Sequence, residues 1–208
     1  METTETYINY KLGYTNYRLD MRDGQDNEML FILNILKCPE REYNANNIAG
    51  VVGISAVGVL KIGRKLEKEG IITLRKVGKA NIYRINLEND YARQYVKFLL
   101  KREVAKAKSY IRVWVRELKK ISSASGVILF GSVLHKEEDA KDIDALIIVN
   151  KKNFQKVKKE VESIDIVNLK KIHPLYQTKE DIEKHIKKRQ AVVLNAIKGI
   201  IVSGEDII

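Results

Sequence analysis

Asp142-Ile143-Asp144 places two carboxylates two residues apart at the head of an apolar run, 145–149. In a strand, side chains at i and i+2 share a face. The spacing therefore predicts that Asp142 and Asp144 project together while Ile143 turns to the core. Carboxylates held side by side repel unless a cation sits between them. Hard oxygen ligands of this kind suit Mg²⁺ held through one or two carboxylates plus substrate phosphates. Upstream, the strand-length run Val127-Ile128-Leu129-Phe130 breaks at Gly131-Ser132. Glycine permits an unusual turn and close backbone approach. Ser132 and the N–H groups after it could then grip phosphate oxygens.

The elements that must position these groups are two strands joined by a polar loop, 127–150 in all. That combination resembles the nucleotidyltransferase superfamily of the polymerase-β type. Gly131-Ser132 and Asp142-Ile143-Asp144 stand at the family's spacing, with a hydrophobic strand on each side. The resemblance implies transfer of a nucleoside monophosphate from an NTP, ATP first, to an acceptor hydroxyl, with pyrophosphate leaving. It implies two Mg²⁺ held by Asp142 and Asp144, and triphosphate binding by Gly131 and Ser132. Asp165, on a strand expected over 164–167, has the chain position of the family's third carboxylate. In that family this residue takes the proton and helps hold one metal, and the resemblance implies the same role for Asp165. Where small members carry Arg and Gly after Gly-Ser, this chain has Leu134-His135-Lys136, and the resemblance implies Lys136 as the replacement for the positive charge. The domain is minimal, like antitoxin-like members that pair with a toxin, so a protein acceptor is one implied partner. His173 and His185 have no Cys or second His at metal spacing and are expected to be structural or exposed.

The N-terminal half reads differently. Tyr7, Tyr10, Tyr14 and Tyr17 stud a polar arm, 1–26. An apolar helix, 28–37, stops before Pro39. A short helix begins at Asn46. A third, 56–69, starts after Ser55, a plausible N-cap. Alternating segments at 71–74 and 81–85 flank a basic hairpin tip, Lys76-Val77-Gly78-Lys79. This order resembles a winged helix-turn-helix domain over 27–89. The resemblance implies double-stranded DNA as partner. Ser55, Lys61, Arg64 and Lys65 would face the major groove, and Lys76 and Lys79 would be wing contacts. Such modules also dock proteins, and Gly58 and Gly63 are expected to weaken the third helix.

Between the halves, 90–122 is expected to be a linking helix or helix pair. Val96, Leu100, Val104, Ala107, Ile111, Trp114, Leu118 and Ile121 form a heptad-like seam. It could pair two protomers into a homodimer or pack against its own domains. Over 91–120, ten Lys and Arg against two Glu make this segment strongly basic. The whole chain, 208 residues with net charge +11, suits a polyanionic partner. The single Cys38 excludes an internal disulfide. No apolar run has the length of a membrane span, and a cytoplasmic location is expected. The predicted fold is α+β: an N-terminal winged helix-turn-helix, the linking helix, and a small α/β nucleotidyltransferase domain over 123–208. Two functions fit: an active transferase joined to a DNA-binding domain, or a transcriptional regulator whose transferase fold senses a nucleotide or is inert.

Overall fold

The computed structural model describes residues 26–204. The tyrosine-bearing arm lies outside them, apart from Asp26. The chain is mixed α+β and divides into two compact units, with the boundary between Arg102 and Glu103.

In the first unit, α1 (Asn27–Lys37) is capped by Asp26, whose carboxylate accepts from Met29 N at 3.3 Å. Helix α2 (Ala45–Val52) opens with a capping box between Asn44 and Asn47. Gly53, left-handed at φ 79°, ends α2. Ser55 starts α3 (Ala56–Lys68) by accepting from Gly58 N at 3.1 Å. The two helices are bent by 104° across this three-residue turn. Strands β1 (Ile72–Val77) and β2 (Ala80–Ile85) form an antiparallel hairpin that turns at Gly78, φ 57°. Phe31, Ile32, Leu33, Ile48, Val59 and Leu66 are buried.

Gly63 plays a packing part that helix propensity alone conceals. A Cβ there would lie 2.8 Å from the Tyr83 ring. Tyr83 in turn meets Phe31 edge-on at 5.0 Å. The glycine lets α3 close onto β2. It does not merely loosen the helix.

The basic segment is two helices, α4 (Asp90–Lys106) and α5 (Ser109–Leu118). No Pro or Gly breaks them. Lys108 is extended (φ −58°, ψ 153°), and Arg112 donates to the Ala107 carbonyl at 2.7 Å. The unit boundary falls inside α4. The segment's seam is consumed within the chain. Val96 and Leu100 are buried on α4, and Ala107, Ile111, Trp114, Leu118 and Ile121 belong to the second unit's core. Those seam residues pack inside the chain.

In the second unit a four-stranded sheet sets 172–177, 143–148, 126–130 and 200–203 side by side in that order. Strand β3 (Gly126–Phe130) pairs antiparallel with β4 (Ile143–Ile148) and with β6 (Ile200–Ser203). Between β3 and β4 lie the single turn α6 (Val133–Lys136) and a 3₁₀ turn, Glu137–Asp139. Helix α7 (Phe154–Val167) crosses over to β5 (Ile172–Gln177), which runs parallel to β4. Helices α8 (Lys179–Lys187) and α9 (Ala191–Ala196) lead to β6. Thr178 caps α8, its hydroxyl accepting from Asp181 N at 3.1 Å.

The stretch leading into β5 departs from expectation, and β5 itself is a strand where a connector is expected over 173–177. Residues 164–167 are the last turn of α7, not a strand. Val157, Val161 and Ile164 are buried at helical spacing, while Ile166 and Val167 are 82% and 73% exposed. The helical period wins over the local β-branched composition. Asp165 therefore sits on a helix. Its carboxylate accepts from Ile172 N at 2.8 Å and anchors the entry to β5.

Candidate metal and nucleotide site

Sheet pairing assembles the site. Strand β4 lies between β3 and β5, and at its start Asp144 is level with Phe130 on one side and His173 on the other. Ile143 is fully buried, and its N–H donates to Lys171 O at 3.0 Å. That anchor turns the flanking carboxylates together, as the i, i+2 spacing requires. Asp142, Asp144 and His173 each offer a ligand atom, and these atoms lie within 4.8 Å of one another. His173 Nδ1 is 3.1 Å from Asp144 Oδ1. The imidazole is 75% exposed against 22% for the Asp144 side chain, so the cluster opens to solvent on the histidine side. Two carboxylates and an imidazole form a donor set that could hold a divalent cation.

Gly131 closes the other flank. Its φ is +80°, and a Cβ would lie 2.0 Å from Asp144 Oδ2. Any side chain would both strain the backbone and displace that carboxylate. Ser132 follows directly and starts α6, its carbonyl accepting from Lys136 N at 2.8 Å. Lys136 is exposed and, among the described residues, forms no ion pair with either aspartate.

The loop that carries these residues is held from two sides. Lys108 pairs with Glu137 at 2.5 Å, which fixes a residue of positive φ, 50°. The Lys170 ammonium donates to the Glu138 and Ala140 carbonyls. Neither lysine bears a motif, so sequence reading passes over both.

Of the expected site residues, Asp142 and Asp144 come together, with Gly131 against Asp144. Asp165 does not join them, because it lies at the end of α7. His173, expected to be structural or exposed, is exposed but is also the third member of the cluster. Its signal was faint: a lone histidine gains a role only once β5 is registered beside β4.

In the first unit, Lys61, Arg64, Lys76 and Lys79 are exposed. Two other expected DNA contacts are engaged locally. Ser55 caps α3. Lys65 pairs with Glu28 at 2.7 Å, and Tyr95 donates to the same carboxylate. Burial pushes the Glu28 carboxyl up, but the bonds from Lys65 and Tyr95 outweigh it and hold it below its usual range. The bond to Glu28 raises the Lys65 ammonium.

Among the described residues, no single helix is long and apolar enough to cross a membrane. No protein-family model and no curated protein matches this chain, so the residues themselves carry the assignment.

Proposed function

We propose that this protein is a DNA-binding regulator whose C-terminal unit binds a nucleoside triphosphate through a divalent cation. One observation carries the reading. Asp142, Asp144 and His173 gather their ligand atoms within 4.8 Å beside a glycine with no room for a side chain. Such a cation neutralises triphosphate charge when bound. Gly131 and Ser132 orient the phosphates, and the exposed Lys136 adds positive charge at the same turn. Imidazole in the donor set favours a first-row transition ion over Mg²⁺, and Mn²⁺ is the member of that series that carboxylates also suit. Asp165 is engaged at the entry to β5, so the cluster lacks the third aspartate that a two-Mg²⁺ set needs.

Support for the DNA-binding part is geometric. Two helices bent by 104° across a turn containing Gly53 fit a helix-turn-helix. A basic hairpin follows, and the net charge of +11 favours a polyanion. Calorimetric titration of the full chain with ATP tests the nucleotide claim. The expected result is binding in Mn²⁺ that is lost in Asp144→Asn. ATP binding unchanged by that substitution sinks it.

A second reading, transfer of the nucleoside monophosphate, is favoured by one detail. When His173 Nδ1 donates to Asp144, the exposed Nε2 is left to accept a proton from an attacking hydroxyl. Incubation with α-labelled ATP decides. Label on an acceptor, lost in His173→Ala and in Asp144→Asn, selects transfer. No label with intact binding selects the sensor.

A further inference from the structure

The solvent face of α3 is not wholly polar. Val57 is 62% exposed and Leu60 40%. They stand three residues apart, so they share one side of the helix. The opposite side is already filled by Val59, Gly63 and Leu66, so the core does not require them. Lys61 and Arg64, at i+4 from Val57 and from Leu60, continue the same face. Across from Leu60, Val77 of the hairpin is 43% exposed. Leu60 and Val77 line a cleft of about 490 Å³ with Asn44, Asn46, Lys79 and Asn81.

The arrangement is an apolar patch on the first turns of α3, bordered by cations. In a helix-turn-helix, the N-terminal residues of the second helix reach the base edges. In the major groove, thymine alone presents a methyl group, and apolar side chains contact it. Neither Val57 nor Leu60 can make the bidentate hydrogen bonds that read guanine or adenine. The surrounding Lys61, Arg64, Lys76 and Lys79 favour a polyanion over a neutral protein surface.

We propose that Val57 and Leu60 read thymine methyl groups, so that this chain selects thymine-bearing steps in duplex DNA. The inference rests on the DNA-binding reading above, and its test separates the two. Binding of the full chain would be compared on three duplexes of equal length: alternating dA-dT, alternating dA-dU and alternating dG-dC. The first two present the same hydrogen-bonding edges and differ only in the thymine methyl. The dA-dT duplex should bind tightest, and dU should weaken binding roughly fourfold for each methyl lost from contact. Val57→Ala combined with Leu60→Ala should erase the difference between dA-dT and dA-dU. Both side chains are exposed, so the variant keeps its fold. Equal affinity for all three duplexes, or preference for dG-dC, overturns the inference and leaves DNA binding standing. Absence of binding to any duplex at low salt overturns the underlying reading with it.

Discussion

Gly131 and Asp144 are coupled at the residue scale, because one is small so that the other can be where it is. Gly131→Ala should disturb Asp144 and lower Mn²⁺ affinity by roughly tenfold or more, as loss of a supporting contact at a metal site does. Gly78→Ala is the control. It too has positive φ, 57°, but nothing lies within 4 Å of its added Cβ. It should cost about 1 kcal/mol of backbone strain and leave metal affinity unchanged. Titration of both variants with Mn²⁺ distinguishes a specific steric clash from general strain. The carboxylate pair and its glycine were legible in the sequence because their spacing is local. His173 was not. Its place beside Asp144 depends on the parallel register of β5 on β4, which no local pattern encodes. Asp165 misled for the complementary reason: Ile164-Asp165-Ile166-Val167 has a strand's composition, but the buried stripe continues a helix.

Elements in the first unit are set by close approach and capping, and here the same substitution should have opposite signs. Gly50, inside α2, has nothing within 4 Å of an added Cβ. Gly50→Ala should stabilise by about 0.5–1 kcal/mol. Gly63→Ala gains similar helix propensity but meets the Tyr83 ring at 2.8 Å, and overpacking costs roughly 1–3 kcal/mol. Urea melts should show the first midpoint rise and the second fall. The Glu28–Lys65 pair adds a pH signature. The folded Glu28 carboxyl titrates below its ordinary 4.5, so its contribution is present above that value and lost as pH falls through the folded one. The folded Lys65 ammonium titrates above 10.5, so its contribution is full below that value and lost as pH rises through the folded one. Lys65 is 57% exposed, so solvent screening limits the pair to about 0.5–1 kcal/mol. Amide exchange in α1 should therefore be faster in Glu28→Gln at neutral pH and indistinguishable from wild type in acid. The helices here were legible within a residue or two, because caps and turn glycines mark their ends, whereas β1 runs to Val77, three residues beyond the expected 74. The break between α4 and α5 was not, since Arg112 and an extended Lys108 make it without Pro or Gly.

At the scale of the whole molecule, two units divide the chemistry between them. One carries an exposed basic and apolar face, the other an acidic cluster at the start of a sheet. The charge excess of +11 predicts that affinity for duplex DNA falls steeply as salt rises, while Mn²⁺ binding at the buttressed cluster depends on salt far less. Asp142, Asp144 and His173 are the proposed ligands, and Asp165 is not one. Mn²⁺ titration followed by electron paramagnetic resonance on the full chain tests this assignment most directly. Saturable binding is expected in wild type and in Asp165→Asn, and its loss in Asp144→Asn. Binding that survives Asp144→Asn, or disappears in Asp165→Asn with the fold intact, would contradict it.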